Sequence, residues 1–115
     1  MNIKRGEIYL AALDPAPESE ISKTRPVVIV SNDKSNAFSG TVTILPISSQ
    51  NLDKVYPFEV FLPKGTGNLP KDSKVKADQI RTIDRPRIVK HIGALGGTET
   101  KDIERAIRLH LDLGY

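Results

Sequence analysis

Four β-branched residues in a row, Val27-Val28-Ile29-Val30, stand directly behind Pro26. Branching at Cβ stiffens a side chain and suits it to a pleated strand rather than a helix. Because the run lacks polar alternation, it predicts a central strand buried on both faces. A strand of that kind obliges the rest of the chain to supply apolar cover on two sides. With 115 residues available, that means one domain spanning 1–115, with a genuine core but no room for a second.

The surrounding segments read as further short strands. Glu7 to Leu13 is rich in strand formers and runs into Asp14-Pro15-Ala16-Pro17, which breaks regular structure. Glu18 to Thr24 is a polar surface loop. Ser31-Asn32-Asp33 is set to cap a short helical turn through Ala37. Thr41 to Ile47 forms a third strand, ended by Ser48-Ser49-Gln50-Asn51. Phe58 to Leu62 forms a fourth, with Phe58, Val60 and Leu62 on one face. The loop from Pro63 to Pro70 is turn chemistry throughout. Ser73 to Ile80 and Ile88 to Ile92 complete the strands. After Gly96-Gly97, Thr98 is the expected N-cap of a closing helix, on which Ile103, Ala106, Ile107 and Leu111 share a face. Turns about every ten residues with one terminal helix argue a mainly β protein, a small curled barrel or twisted sheet.

Several function classes have nothing to stand on. The chain has no cysteine, which excludes disulfides, thiolate zinc sites and cysteine nucleophiles. His91 and His110 are too far apart for a local ligand pair, and no Ser-His-Asp set has supporting sequence. Asp14, Glu18 and Glu20 sit among prolines in what reads as a loop, without a coordination pattern. The glycines lack the strand-to-helix setting of a phosphate loop. No metal and no cofactor is expected. MNIKRGEIYL carries basic residues with no apolar run behind them, so it does not read as a signal peptide, and no segment has the length of a membrane span. The expected location is the cytoplasm. A net charge of +3 leans mildly towards polyanionic partners.

What remains is a set of polar residues at strand ends. Arg25 precedes Pro26 at the mouth of the most apolar strand, where a guanidinium over a rigid base suits a bidentate grip on phosphate. Ser48 closes the third strand, with Ser49 and Gln50 beside it. Asp78-Gln79-Ile80-Arg81-Thr82 leaves another strand with alternating polar groups. Singly, each has a plain reading as a surface ion pair, a turn residue or an edge residue.

Together with their neighbours these residues carry a resemblance. RGEIYLAALDP at Arg5 to Pro15, Ser19-Glu20, KTRPVVIVSND at Lys23 to Asp33, TVTILPISSQ at Thr41 to Gln50, YPFEVFL at Tyr56 to Leu62 and ADQIRTID at Ala77 to Asp84 follow one another in the order seen in the MazF/PemK/Kid family of toxin ribonucleases. The chain resembles that family over essentially its whole length. The resemblance implies an SH3-like β-barrel of the CcdB/MazF/PemK type with a C-terminal helix, a homodimer, and a cognate antitoxin whose disordered tail covers the RNA groove. It implies a sequence-specific, metal-independent endoribonuclease acting on single-stranded RNA such as mRNA.

Carried over by position, the family's catalytic arginine falls on Arg25 and its catalytic hydroxyl, commonly a threonine, on Ser48. Serine keeps the donor and acceptor and loses only the stiffening methyl. Glu20 matches a loop carboxylate that contacts arginine or substrate. Arg5, Asp78, Gln79 and Arg81 match positions near the RNA groove or dimer interface. Gln50, Asn32 and Gln79 are the expected readers of base edges, with lysines and arginines, Lys23 among them, holding phosphates. Pro17-Glu18 stands where relatives often carry glycine, and Ile21 where many carry glutamine. The implied reaction is attack of a ribose 2′-hydroxyl on the adjacent phosphate, leaving 2′,3′-cyclic phosphate and 5′-hydroxyl ends. The alternative is a non-enzymatic toxin like the gyrase poison CcdB, which shares the fold and binds a protein target; Arg25 and Ser48 would then be idle. An SH3-like peptide-binding module would want an aromatic groove, and this chain has no Trp, three Tyr and three Phe.

Overall fold

In the computed structural model, residues 1–15 and 23–114 are described. Seven strands and two α-helices follow in the order β1 (Glu7–Ala12), β2 (Thr24–Ile29), α1 (Asp33–Phe38), β3 (Thr41–Ser48), β4 (Glu59–Leu62), β5 (Ser73–Lys76), β6 (Arg81–Asp84), β7 (Ile88–Ala94) and α2 (Gly97–Leu111). The strands form one antiparallel sheet in the order β4-β5-β3-β2-β1-β7, with β6 also paired to β3. The long β3 organises it. Its first half pairs with β6 (Val42 opposite Ile83), its middle with β2 (Val28 opposite Leu45), and its end with β5 (Ile47 opposite Val75).

The two-faced burial expected of Val27-Val28-Ile29 is present. Val27 and Ile29 join Tyr9, Leu13, Ile44 and Ile83 in one apolar cluster. Val28 points the other way, into a second cluster with Ile8, Leu45, Leu62, Val75 and the helix residues Ile103 and Ala106. Successive side chains on a strand alternate faces, so a strand between two apolar layers must be apolar throughout. The sheet is mostly β and strongly curled rather than closed by pairing, since β4 and β7 end the path.

The curl brings the β4–β5 connection against β7. Asn68 Nδ2 donates to Ile92 O at 3.0 Å, and Gly67, at φ +56°, lies on Gly93 so closely that a Cβ on Gly93 would sit 2.2 Å from Gly67 O. Backbone cannot yield as a side chain tip can. Gly93→Ala is therefore expected to cost about 3 kcal/mol, the upper end for overpacking, seen as a lowered urea midpoint with an unchanged m-value.

Several element boundaries differ from expectation: β2 opens at Thr24, before Pro26, and stops at Ile29, and β7 runs on to Ala94. The stretch read as one strand from Ser73 to Ile80 breaks after Lys76: Ala77–Gln79 forms a 3-10 turn and β6 follows. Ala77 N–H donates to Phe58 O at 3.1 Å, and Ile80 N–H to Ala77 O at 3.3 Å. That turn moves the chain from the end of β3 to its beginning. The closing helix starts earlier than Thr98, with Gly96 as N-cap, because Glu99 reaches back to accept the Gly96 N–H at 3.1 Å. The Asn32 cap holds as expected, its side chain accepting the Ser35 N–H at 2.8 Å. Phe58, expected on one face of the fourth strand with Val60 and Leu62, lies just before β4, is half-buried and stacks on Tyr56 with centroids 5.4 Å apart. No helix among the described residues is long and apolar enough to cross a membrane.

Candidate functional site

The register of β2 against β3 sets Val27 opposite Pro46. The ladder between the two strands ends at that pair, so Arg25, two residues before Val27, and Ser48, two after Pro46, lie just beyond its paired part. Pro26 cannot donate to a ladder, and beyond Pro46 the other edge of β3 turns to β5, with Ser48 opposite Lys74. A cavity of about 280 Å³ opens where β2 begins and β3 ends, lined by Arg25, Pro26, Ile47, Ser49, Gln50 and Lys71, among others. Arg25 is half-buried, the state expected of a guanidinium whose stem packs while its head meets solvent.

Ser48 is 6% exposed. Its Oγ accepts the Gln50 N–H at 3.1 Å, which folds the chain back at the strand end. A hydroxyl that accepts one bond can still donate its own proton. Ser49 and Gln50 are exposed beside it. Lys71 on the same wall was missed by sequence reasoning. One lysine in a Pro-Lys-Asp turn carries no signal of its own.

The remaining predicted residues are spread. Lys23 lies two positions before Arg25, exposed and at φ +69°. Its N–H donates to Asp14 Oδ1 at 2.8 Å and its carbonyl accepts from Leu13 N–H at 3.0 Å. Glu20 lies outside the described residues. Arg81 is opposite Ile44 and donates to Leu13 O at 3.5 Å, near Arg87, which donates to Ala12 O at 3.1 Å. Both guanidiniums hold the end of β1. Asp78 and Gln79 sit in the 3-10 turn before β6, with Asp78 Oδ1 buried 3.9 Å from Lys76 Nζ.

Arg5 and Asn32 are at the opposite end of β2. Five residues of strand, roughly 16 Å, separate Arg25 from Val30, whose carbonyl accepts from Arg5 Nε at 3.1 Å. Arg5 also pairs with Glu104 at 3.0 Å, and its backbone N–H donates to Asp33 at 2.6 Å. That N–H holds the Asp33 carboxyl below the usual range. Arg5, Asn32, Thr43, Ile80, Glu104 and Arg108 border a second, open groove of about 460 Å³. The structure thus brings Arg25 and Gln50 together on one cavity, with Ser48 bonded to the Gln50 N–H next to it, and sets Arg5 and Asn32 apart from them.

The histidines are accounted for locally. His91 packs edge-on against buried Tyr9 and lies 3.1 Å from Glu7. Burial, aided by the hydrogen bond to Glu7, pushes the Tyr9 hydroxyl up to about 12. His110 lies on α2 near Phe58. No group of three or more potential metal-ligating side chains occurs among the described residues.

Behind the cavity lies a feature the sequence did not announce. Glu59, 6% exposed, and Lys74, 4% exposed, are 3.0 Å apart, and Lys76 Nζ is 2.6 Å from the second Glu59 oxygen. Burial alone would raise the Glu59 carboxyl, but hydrogen bonds from Lys76, the Tyr56 N–H and Lys74 outweigh it and hold it below the usual glutamate range. A carboxyl depressed on folding contributes stability that is present above its unfolded pKa and lost as pH falls through the folded one. Urea unfolding is therefore expected to weaken below about pH 4, and Glu59→Gln should remove that part of the acid limb.

Comparison with known proteins adds a consistent set of likenesses. Residues 4–111 match the family model described as PemK-like, MazF-like toxin of type II toxin-antitoxin system. The chain is 43% identical to endoribonuclease MazF9 of Mycobacterium tuberculosis, over 96% of this chain and 98% of that one. It superposes on the crystal structure of MazF from Deinococcus radiodurans with a TM-score of 0.85 at 24% identity, covering 98% of this chain and 99% of that one. An endoribonuclease in complex with its cognate antitoxin, from a mycobacterial species, gives 0.81 at 21% identity over 98% of each chain.

Proposed function

Since this chain belongs to the PemK-like, MazF-like toxins of type II toxin–antitoxin systems, we propose that the cavity between the start of β2 and the end of β3 is where it cleaves single-stranded RNA. The protein is a MazF-type toxin endoribonuclease. The alternative of a purely binding toxin is not favoured, since the curated relative is itself an endoribonuclease. The supporting observation for the site is the cavity that Arg25 lines together with Ser49 and Gln50, the last of which donates its N–H to Ser48 Oγ.

The nucleophile belongs to the substrate. The ribose 2′-oxygen forms a bond to the adjacent phosphorus as the bond from phosphorus to the 5′-oxygen breaks. The 2′-proton leaves to a base and the departing 5′-oxygen takes one up, giving a 2′,3′-cyclic phosphate and a 5′-hydroxyl. With an internal nucleophile, neither a protein nucleophile nor a metal-bound water is required. Charge grows on the non-bridging oxygens in the transition state. Arg25 supplies a cationic fork for them and Ser48 a neutral O–H donor, the kind of preorganised stabilisation worth about 10²–10³ per donor. Glu20 is the carboxylate we assign to the 2′-proton. An arginine, with pKa above about 12, is a poor proton donor near neutrality, so Arg25 acts as a charge clamp.

Gln50 and Ser49 border the same space and would present hydrogen-bonding groups to a splayed base, while Lys71 on the same wall and Lys23, exposed before β2, would meet phosphates. Gln79, Asp78 and Arg81 are assigned to the RNA path by their family positions, and Arg5 and Asn32 would serve only substrate or a partner reaching the far groove. We assign a homodimer, a cognate antitoxin as inhibitor and a cytoplasmic location to the protein as a single domain. The function is tested with a short RNA cut once by the protein. A single 2′-deoxy substitution on the 5′ side of the cut should abolish cleavage at that bond, with the all-DNA strand left whole. Cutting of the deoxy-substituted bond at the normal rate would overturn the reading.

A further inference from the structure

A buried lysine that the chemistry does not use sits immediately across the ladder from Ser48. Lys74 is opposite Ser48 on one side and Phe61 on the other, so the three side chains share a face. That face is covered by the segment 49–58, which starts at the cavity wall with Ser49 and Gln50. Lys74 Nζ donates to Asn51 O at 2.9 Å, to Lys54 O at 3.1 Å and to Glu59 Oε1 at 3.0 Å. An ammonium has three protons, and all three are spent in fixed directions. Glu59 in turn accepts from the Tyr56 N–H at 3.0 Å and from Lys76. One buried ion pair thus holds the covering segment at residues 51, 54 and 56.

The first of these tethers is next to the site. Asn51 adopts φ +54°, a left-handed conformation that asparagine tolerates and that turns the chain here. Its carbonyl bond to Lys74 ties that turn to the buried pair. One residue earlier, the Gln50 N–H donates to Ser48 Oγ. The orientation of the Ser48 hydroxyl therefore depends on the path of the chain through Gln50 and Asn51, and that path depends on Lys74.

We propose that Lys74, anchored by Glu59, is a positioning residue for RNA cleavage, holding the Ser48–Asn51 turn so that Ser49 and Gln50 keep their places on the cavity wall with Arg25 and the Ser48 hydroxyl its place beside Gln50. The proposal rests on the assignment of the cavity lined by Arg25 and Gln50 as the cleavage site. Neutralising the pair together avoids stranding a buried charge while removing the tethers. The Lys74→Met/Glu59→Gln protein should fold but lose the fixed turn. A misplacement on the order of 1 Å costs as much as about 10² in rate, so kcat should fall by roughly 10–10² with KM changed only a few-fold.

The experiment measures kcat and KM on a defined RNA for wild type, Lys74→Met/Glu59→Gln and Arg25→Ala, at a temperature where thermal melts show each protein folded. A large kcat loss in the double variant, with near-normal KM, supports the positioning role. Wild-type kcat in the folded double variant, with Arg25→Ala inactive, overturns that role and leaves the site standing. Wild-type kcat in Arg25→Ala overturns the site, and the positioning role with it. Should the double variant not fold, Lys74→Met alone, which leaves Glu59 paired with Lys76, serves in its place: a kcat loss of the same kind supports the role, and unchanged kcat overturns it.

Discussion

Arg25→Ala is expected to lower RNA cleavage by about 10²–10³-fold and to leave the fold intact. The two halves of that expectation have separate grounds. Arg25 belongs to neither apolar cluster, so its truncation opens no core cavity. Arg25 borders the cavity at the start of β2, where a positioned cation gains most from charge that develops only in the transition state. Arg25→Lys should restore part of the rate, since an ammonium keeps the charge and loses the planar fork. Initial rates on a fluorescently labelled RNA, with thermal melts of each protein, check both halves. A kcat within a few-fold of wild type in folded Arg25→Ala would remove this residue from the chemistry.

Glu59→Ala is expected to destabilise the protein by about 3–5 kcal/mol, against a total near 5–15 kcal/mol for a domain of this kind. The loss comes less from the missing attraction than from what is left behind. Lys74 would remain 4% exposed with no carboxylate, and an unpaired buried ammonium carries its full desolvation cost. Tyr56 N–H and Lys76 would lose their acceptor as well. Removing both charges in Lys74→Met/Glu59→Leu should recover much of the difference, because a well-packed apolar pair can replace a buried ion pair at little net cost. Urea titration of the three proteins measures this directly. A Glu59→Ala midpoint matching wild type would mean that water reaches Lys74 and that the pair is effectively a surface one.

The parts of the fold that the sequence revealed are those where burial imposes a pattern. Val27-Val28-Ile29 was legible because a strand between two apolar layers must be apolar on both sides. The turn from Pro63 to Pro70 was legible because Gly65, Gly67 and Asn68 adopt positive φ, which the residue types announce. β6 was not, since Ile83 is its one buried residue and a single apolar position makes no period. The helix start was misplaced because Thr98 is the stronger cap by type, whereas Glu99 bonding back to Gly96 decided the matter.

The site divides the same way. Arg25, Ser48 and Gln50 were identified through the family resemblance, and what the structure adds is the cavity that Arg25 and Gln50 share, with Ser48 bonded to the Gln50 N–H. Nothing local could have separated Arg5 and Asn32 from them, because separation across a sheet is a tertiary fact. Lys74 was hidden for a physical reason. Ser73-Lys74-Val75-Lys76 alternates like a strand with one wet face, and only the segment 49–58 folding over that face turns two ordinary lysines into a buried network.

The most direct measurement is the mass of the fragments left when wild-type protein digests a long unstructured RNA in excess EDTA. The account predicts discrete fragments ending in 2′,3′-cyclic phosphate and beginning with 5′-hydroxyl, at a rate unaffected by the chelator. Fragments with 5′-phosphate ends, or cleavage that stops in EDTA and returns with a divalent cation, would contradict it.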